Sequence, residues 1–391
     1  MLTVLFVDDD SNVLQGTRRA TRSMRQFWNV HFVEHGSEAL EYITENRVDV
    51  VVSDMRMPGM DGAELLAKVR TISPSTVRII LSGYAEEEAV LRSTRVAHQF
   101  LSKPCDLEDL KRTIEELRAY RSTIDQEQIR EVVGGMQQLP ALGTVHADLV
   151  AAMNSSQSSN DSLAEIVSRD VALTAELLRL VNSAFFGLNS RVESVAQAIG
   201  FLGIDVVQAI VAGHSLFDGG STGVVDVAEV ARRSQLVSAL ARRSTRNDGG
   251  SNSDAATAYL AGMLHQVGVL VLGELDCPDG DMKAILAGED ITTERMVFGV
   301  DRYTVGAYLL GLWGFDNRIV QAVNGLSDRD GPERESVARA LLIAEESVRS
   351  GRIPVSSSPP GEERMDEVLA ETTEALSAEA RSHSMTAEVA R

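Results

Sequence analysis

The run Val48-Asp49-Val50-Val51-Val52-Ser53-Asp54-Met55-Arg56-Met57-Pro58-Gly59-Met60-Asp61-Gly62 decides the fold of the N-terminal third of the chain. Its valines form a continuous apolar, β-branched stretch that stops at a carboxylate. A Pro/Gly-rich turn and an amphipathic segment follow. A continuous apolar run bounded by turn signals reads as a parallel strand buried on both faces. In open α/β sheets, ligands and chemistry collect at the carboxyl ends of the strands. Asp54 stands at such an end and is the candidate phosphate acceptor.

Working outward, the same alternation repeats. Leu2–Val7 is an apolar run ending in Asp8-Asp9-Asp10, and Ser11–Arg25 reads as a helix with Asp10 or Ser11 as its N-cap. Trp28–Val33 reads as a strand, Ser37–Arg47 as a helix and Gly62–Thr71 as the helix after the valine strand. Val77–Leu81 is a strand ending at Ser82-Gly83, Glu86–Arg95 a helix, and Gln99–Leu101 a short strand ending at Lys103-Pro104. Strand-then-helix units in series predict an α/β domain, a doubly wound five-stranded parallel sheet with helices on both faces. Asp8, Asp9, Asp54, Ser82 and Lys103 all follow strand ends, so the topology brings them to one edge. Three carboxylates together repel unless a cation joins them. Hard oxygen donors beside a phosphate select Mg2+. Lys103 can supply a positive charge to a phosphoryl group and Ser82 a hydroxyl donor.

Over about residues 1–120 this pattern resembles the response-regulator receiver family, whose fold is flavodoxin-like. Val7-Asp8-Asp9-Asp10, Ser53-Asp54-Met55-Arg56-Met57-Pro58-Gly59-Met60-Asp61-Gly62, Leu81-Ser82-Gly83-Tyr84-Ala85 and Leu101-Ser102-Lys103-Pro104 carry the resemblance. It implies that Asp54 takes a phosphoryl group from a phosphohistidine on a sensor histidine kinase. It implies Mg2+ held by Asp9, Asp54 and the backbone carbonyl of Arg56, with Asp8 acting through water. Ser82 and Lys103 would engage the acyl phosphate. Phe100 falls at the family's switch aromatic, where the usual Tyr is absent, and Arg56 and Tyr84 fall at positions that tune the lifetime of the phosphoryl group.

Residues 121–135 read as a helical connector, continuous with the charged helix from Leu107 or broken only briefly. From 125 to 345 strand signals fade, and Ala- and Leu-rich segments recur at helical spacing, which predicts an all-α domain. Among them are Leu173–Asn182, Val227–Arg243, Ala255–Leu272, Val305–Leu312 and Ser336–Ser347. The polar loops Asn154–Ser162 and Asn247–Asp254 are the expected mobile segments. Ser168–Gly187, Gln138–Leu142 and Ala198–Gly203 resemble the HDOD family. HDOD domains look like relatives of the HD metal-dependent phosphohydrolases that have lost the metal site. At the ligand positions the resemblance places Arg233, His265-Gln266 and Arg302, and a cation there repels a metal. The expectation is a non-catalytic domain, with His265 a partly buried, hydrogen-bonded helix residue. The Arg232–Arg246 helix reads first as a solvated face, Phe185-Phe186 and Trp313 as core.

The bulk numbers fit this reading. With 391 residues, 44% hydrophobic and 24% charged, the chain suits two or three globular domains. A net charge of −20 argues against unaided nucleic-acid binding. Cys105 and Cys277, far apart, form no disulfide framework, which places the chain in a reducing cytoplasm. No run is expected to approach the roughly 18 apolar residues of a membrane helix. Residues 350–391 read as an acidic, disordered tail. The expected function is a two-component response regulator that passes phosphorylation of Asp54 to a downstream protein through the helical domain. A homodimer stays open. The alternatives are a cyclic-dinucleotide phosphodiesterase and a nucleotide sensor that binds without hydrolysis.

Overall fold

The computed structural model describes residues 1–82, 96–103, 105, 107–140, 145, 148–149, 151–152, 159–182, 191–204, 206–207, 210, 224–275, 282–287, 290–328 and 335–350. The helix expected over 86–95, most of the loop over 154–162, Phe185-Phe186 and the tail lie outside them.

Five strands, β1 (Leu2–Val7), β2 (Trp28–Val33), β3 (Val50–Asp54), β4 (Val77–Ser82) and β5 (Gln99–Ser102), form one sheet in the order β2-β1-β3-β4-β5, with every pair parallel. This order belongs to the flavodoxin-like doubly wound sheets, with a switch point between β1 and β3. Helices α1 (Ser11–Ala20), α2 (Gly36–Glu45), α3 (Gly62–Ile72) and α4 (Leu107–Arg121) cover it. The valines of β3 are buried in alternation: Val50 and Val52 join the core under α1 and α4, Val51 the core under α2 and α3. That two-sided burial is why the run shows no polar alternation.

Helix starts are capped by the acids that the sequence scatters between apolar runs. Asp10 accepts from the Asn12 amide and starts α1, and Asp61 accepts from Glu64 and starts α3. Each such cap is worth about 1 kcal/mol. The helix expected to reach Arg25 ends at Ala20 and tightens into a 3-10 turn over Thr21–Gln26. The Thr17 and Thr21 hydroxyls bond back to Val13 O and Thr17 O, the side-chain competition that weakens a helix end.

The chain breaks after Arg121 and resumes as α5 (Glu127–Gly135). Eleven helices follow among the described residues with six or more residues each. Those the argument uses are α6 (Val171–Val181), α7 (Val227–Asn247), α8 (Asn252–Leu264), α9 (Val267–Leu272), α10 (Ile291–Phe298), α11 (Arg302–Leu312), α12 (Asn317–Gly325) and α13 (Ser336–Arg349). Two expectations need correction here. The 247–254 segment is an ordered turn: Gly249 takes φ +77° and Ser251 with Asp254 forms a reciprocal capping box for α8. The 255–272 segment is two helices, broken at His265-Gln266. By length and composition Asn252–Leu272 does suit a membrane span, contrary to expectation, but 89% of its apolar window is buried inside the helical domain. It is a core element, and its close packing requires small residues: a Cβ on Gly268 would fall 1.8 Å from Arg302 O.

The two units share one hydrophobic cluster, running from Val4 and Ile114 of the sheet domain to Leu309 and Leu341 of the helical one. α11 packs against α4 and α5. Tyr120 of α4 donates to Asn317 Oδ1 (2.7 Å), and Gln99 of β5 donates to Gly311 O (3.2 Å).

Candidate functional site

The carboxylates of Asp8, Asp9 and Asp54 meet beyond the ends of β1 and β3, with one oxygen from each lying within 4.8 Å of the others. The β1–β3 register, Val7 beside Ser53, sets the two ends side by side. Asp8 is 4% exposed. The turn after Asp54 is held by the Gly62 amide, which donates to Met55 O (2.9 Å), while Gly59 takes φ +82°. Gly62 itself is required by proximity, since a Cβ there would lie 2.2 Å from Asp54 O.

Lys103, one residue past β5, reaches into this cluster. Its Nζ donates to Asp8 Oδ2 (2.7 Å) and lies 2.8 Å from Asp54 Oδ1. Burial pushes its ammonium pKa down, but the hydrogen bonds and charges of Asp54 and Asp8 outweigh this and raise it. β4 ends at Ser82, in register with Ser102. The side chain of Ser82 and all of Tyr84 lie outside the described residues. Arg56 is exposed, two residues past Asp54. Phe100 is buried in the core under α2 and α3 with Met55, Met57 and Ile80. Three hard oxygen donors facing one lysine fit a divalent cation better than a soft metal.

A second polar cluster lies in the helical domain, and its centre was not anticipated. Glu345, on α13, is 1% exposed. Arg233 of α7 donates to its Oε1 (2.7 Å), the Tyr303 hydroxyl donates to the same oxygen (2.8 Å), and His265 Nε2 lies 3.2 Å from Oε2. His265 Nδ1 faces Gly262 O at 2.5 Å, and Gln266 Nε2 lies 3.2 Å from His265 Nε2. Burial pushes the Glu345 carboxyl pKa up, yet the hydrogen bond from His265 and the charges of His265 and Arg233 hold it well below the usual range. His265 is therefore wholly buried at a helix break, not a partly exposed helix residue. Arg233 points inward to a carboxylate, not onto a solvated face. Arg302 takes a different partner, with its Nε donating to the buried Glu294 (2.6 Å) and its Nη2 to Leu286 O (3.2 Å). A signal for Glu345 was present: it lies on the buried stripe Val337, Leu341, Ala344, Val348 of α13. An acid on an apolar stripe needs a cation across from it.

Two further buried guanidiniums stand between the units. Arg78 of β4 donates from Nε to Val96 O (2.6 Å), from Nη1 to Pro74 O and Thr76 O (both 3.1 Å) and from Nη2 to Gly134 O (2.5 Å). His98 accepts the Arg78 amide on Nδ1 (3.1 Å), so its Nε2 carries the proton toward Gly134 O (3.0 Å). Burial, then the charge of Arg78, holds the imidazole well below its ordinary pKa. Arg179 of α6 donates to Ala97 O (2.5 Å) and lies over the Trp313 ring at 4.7 Å.

With this geometry in view, comparison with known proteins defines the class. Residues 4–115 match the response regulator receiver domain, and residues 139–327 match the HDOD domain. The chain belongs with the response regulators, joining a receiver domain to an HDOD domain. Among curated relatives it is 41% identical over 119 residues to the sensor kinase CckA of Brucella abortus, a stretch covering 29% of this chain and 12% of that one. It is 33% identical over 127 residues to the transcriptional regulatory protein YesN of Bacillus subtilis, covering 30% of this chain and 33% of that one. The matched stretches thus span a third or less of these relatives. Among solved structures, the MmoQ response regulator of Methylococcus capsulatus is 25% identical and covers 59% of this chain and 98% of its own, with a TM-score of 0.47.

Proposed function

We propose that this chain is a cytoplasmic response regulator in which Asp54 accepts a phosphoryl group from a sensor histidine kinase. The phosphorylation then changes the protein–protein contacts of a non-catalytic HDOD output. We divide it into a receiver (1–120), a helical connector (121–135), an output domain that ends near 345, and a tail (350–391). The observation that carries the reading is Lys103 bridging Asp8 and Asp54 at the open edge of the sheet.

In the transfer, an Asp54 carboxylate oxygen forms the new O–P bond while the N–P bond of the donor phosphohistidine breaks. The leaving imidazole nitrogen takes its proton from water. Asp9, Asp54 and the Arg56 carbonyl are the proposed holders of Mg2+, with Asp8 acting through water. When bound, Mg2+ neutralises charge on the phosphoryl oxygens. Lys103 exchanges a carboxylate oxygen for a phosphoryl oxygen without leaving its place, and Ser82 offers a hydroxyl donor. Little covalent work falls to the protein; positioning and charge neutralisation dominate. Phe100 serves as the switch aromatic by burial of its ring, and Arg56 and Tyr84 tune the lifetime of the phosphoryl group.

The non-catalytic reading of the output rests on the pairings already described. Arg233, His265 and Tyr303 all converge on Glu345, and Arg302 is committed to Glu294. The downstream partner is a protein, recognised through the HDOD surface. The test is to incubate the full chain with a small acyl phosphate and Mg2+. The expected product is an acid-stable, hydroxylamine-sensitive phosphate that is absent from Asp54→Ala; uptake unaffected by that substitution refutes the assignment.

A further inference from the structure

We infer that Arg179, which belongs to the helical domain, is a positioning residue for the receiver's carboxylate pocket, acting through Ala97 and β5 on Lys103. The inference rests on the reading of that pocket as a phosphoryl site.

β5 has four residues and lies at the end of the strand order, so its ladder bonds run to β4 alone. A short edge strand is weakly fixed along its own axis by one ladder. Part of what pins it at the far end comes from the helical domain. Arg179 donates to Ala97 O, two residues before β5 begins, and Gln99, the first residue of β5, donates to Gly311 O of α11. Trp313, which caps α11, stacks under the Arg179 guanidinium, so both contacts close on one rigid unit. Arg78 grips the same approach from within the receiver, through Val96 O. Residues 96–99 are therefore clamped from both domains.

Lys103 is six residue steps on from Ala97, about 20 Å of extended chain. Displacement of the strand along its axis is carried to Lys103 Nζ, which sits 2.7 and 2.8 Å from its two carboxylates and leaves little slack. Arg179 donates to Ala97 O and lies over the Trp313 ring, and burying its guanidinium costs the hydration of a cation. Burial lowers the Arg179 pKa to about 10, against the raising effect of Glu176, in keeping with that cost. By linkage, whatever Arg179 docking does to ligand affinity at the pocket, the ligand does to docking.

The probe is beryllofluoride with Mg2+, titrated into the full chain and followed by fluorine NMR. Arg179→Gln is expected to change the affinity by about fivefold or more, the usual lower bound of coupling between sites. Arg179→Lys keeps one donor for Ala97 O and is expected to fall between Gln and wild type. Hydrogen exchange of residues 96–103 is expected to quicken in step. Glu345→Gln is the control: it loosens the same domain without touching β5 and should leave the affinity within twofold of wild type. Wild-type affinity in Arg179→Gln, or an equal shift in Glu345→Gln, overturns the positioning role while leaving the phosphoryl site intact. A wild-type chain that binds no beryllofluoride overturns the site itself and this inference with it. If Arg179→Gln does not fold, Arg179→Lys decides alone: a shifted affinity supports the role and an unchanged one overturns it.

Discussion

Replacing Glu345 by Gln is the sharpest stability test of the helical domain. The change is nearly isosteric, so packing is conserved and only charge is lost. It leaves Arg233, 17% exposed in its side chain, and the fully buried His265 without the carboxylate both face. Breaking a buried pair from one side costs about 3–5 kcal/mol. Arg233 keeps some water, and Gln still accepts from Tyr303, which favours the lower end, roughly 3 kcal/mol. At about 2–4 °C per kcal/mol for a unit of this size, calorimetry should show a fall in Tm of about 6–12 °C at pH 7. The sign of the pH dependence follows from the depressed carboxyl. Its stabilisation is present above the unfolded value of about 4.3 and is lost as pH falls from there through the lower folded value. The gap between wild type and Glu345→Gln must therefore be constant from pH 7 to about 5.5 and narrow below. Arg233→Met with Glu345→Met should cost less than the sum of the single changes. A Tm within 1 °C of wild type, or a gap that does not narrow in acid, would refute the assignment of Glu345 as the charge that holds this cluster.

Two further outcomes follow from the geometry. In Lys103→Met, the ammonium no longer competes with a metal for Asp8 and Asp54, so calorimetry should show Mg2+ binding severalfold tighter while phosphate uptake falls at least about tenfold; weaker Mg2+ binding would contradict the competition. Gly268→Ala forces a Cβ against Arg302 O, and chemical denaturation should register a loss of about 2–3 kcal/mol; a neutral result would mean that α9 and α11 can part freely.

The receiver was legible because its chemistry and its periodicity coincide. A strand buried on both faces prints as an unbroken valine run, and the carboxylate at its end prints as the residue that stops it. Lys103 and Asp54, 49 positions apart, lie 2.8 Å apart because parallel topology sends strand ends to one edge. The helical domain was legible only as helices. Its polar centre is a tertiary fact: Arg233 and Glu345 meet across α7 and α13, and local spacing cannot pair residues 112 positions apart. Local polarity misled at 247–254, where the residues that form a reciprocal cap also have loop composition. It misled again at 255–272, where apolarity runs unbroken through the backbone break at His265-Gln266. The interdomain guanidiniums did leave a trace. Arg78 interrupts Val77–Leu81, and Arg179 interrupts Leu177-Leu178-Arg179-Leu180-Val181, whose every residue is buried. An arginine inside such a run has to find acceptors, and here they are carbonyl oxygens, among them Gly134 O of the connector for Arg78 and Ala97 O of the other domain for Arg179.

The central claim is that Asp54 is the one carboxylate of the cluster that takes the phosphoryl group. The most direct measurement is borohydride reduction of the phosphodonor-treated full chain, followed by tandem mass spectrometry. One modified residue, Asp54, dependent on Mg2+, is the predicted result. Modification at Asp8 or Asp9 instead, or none at all with the chain folded and the donor intact, would contradict it.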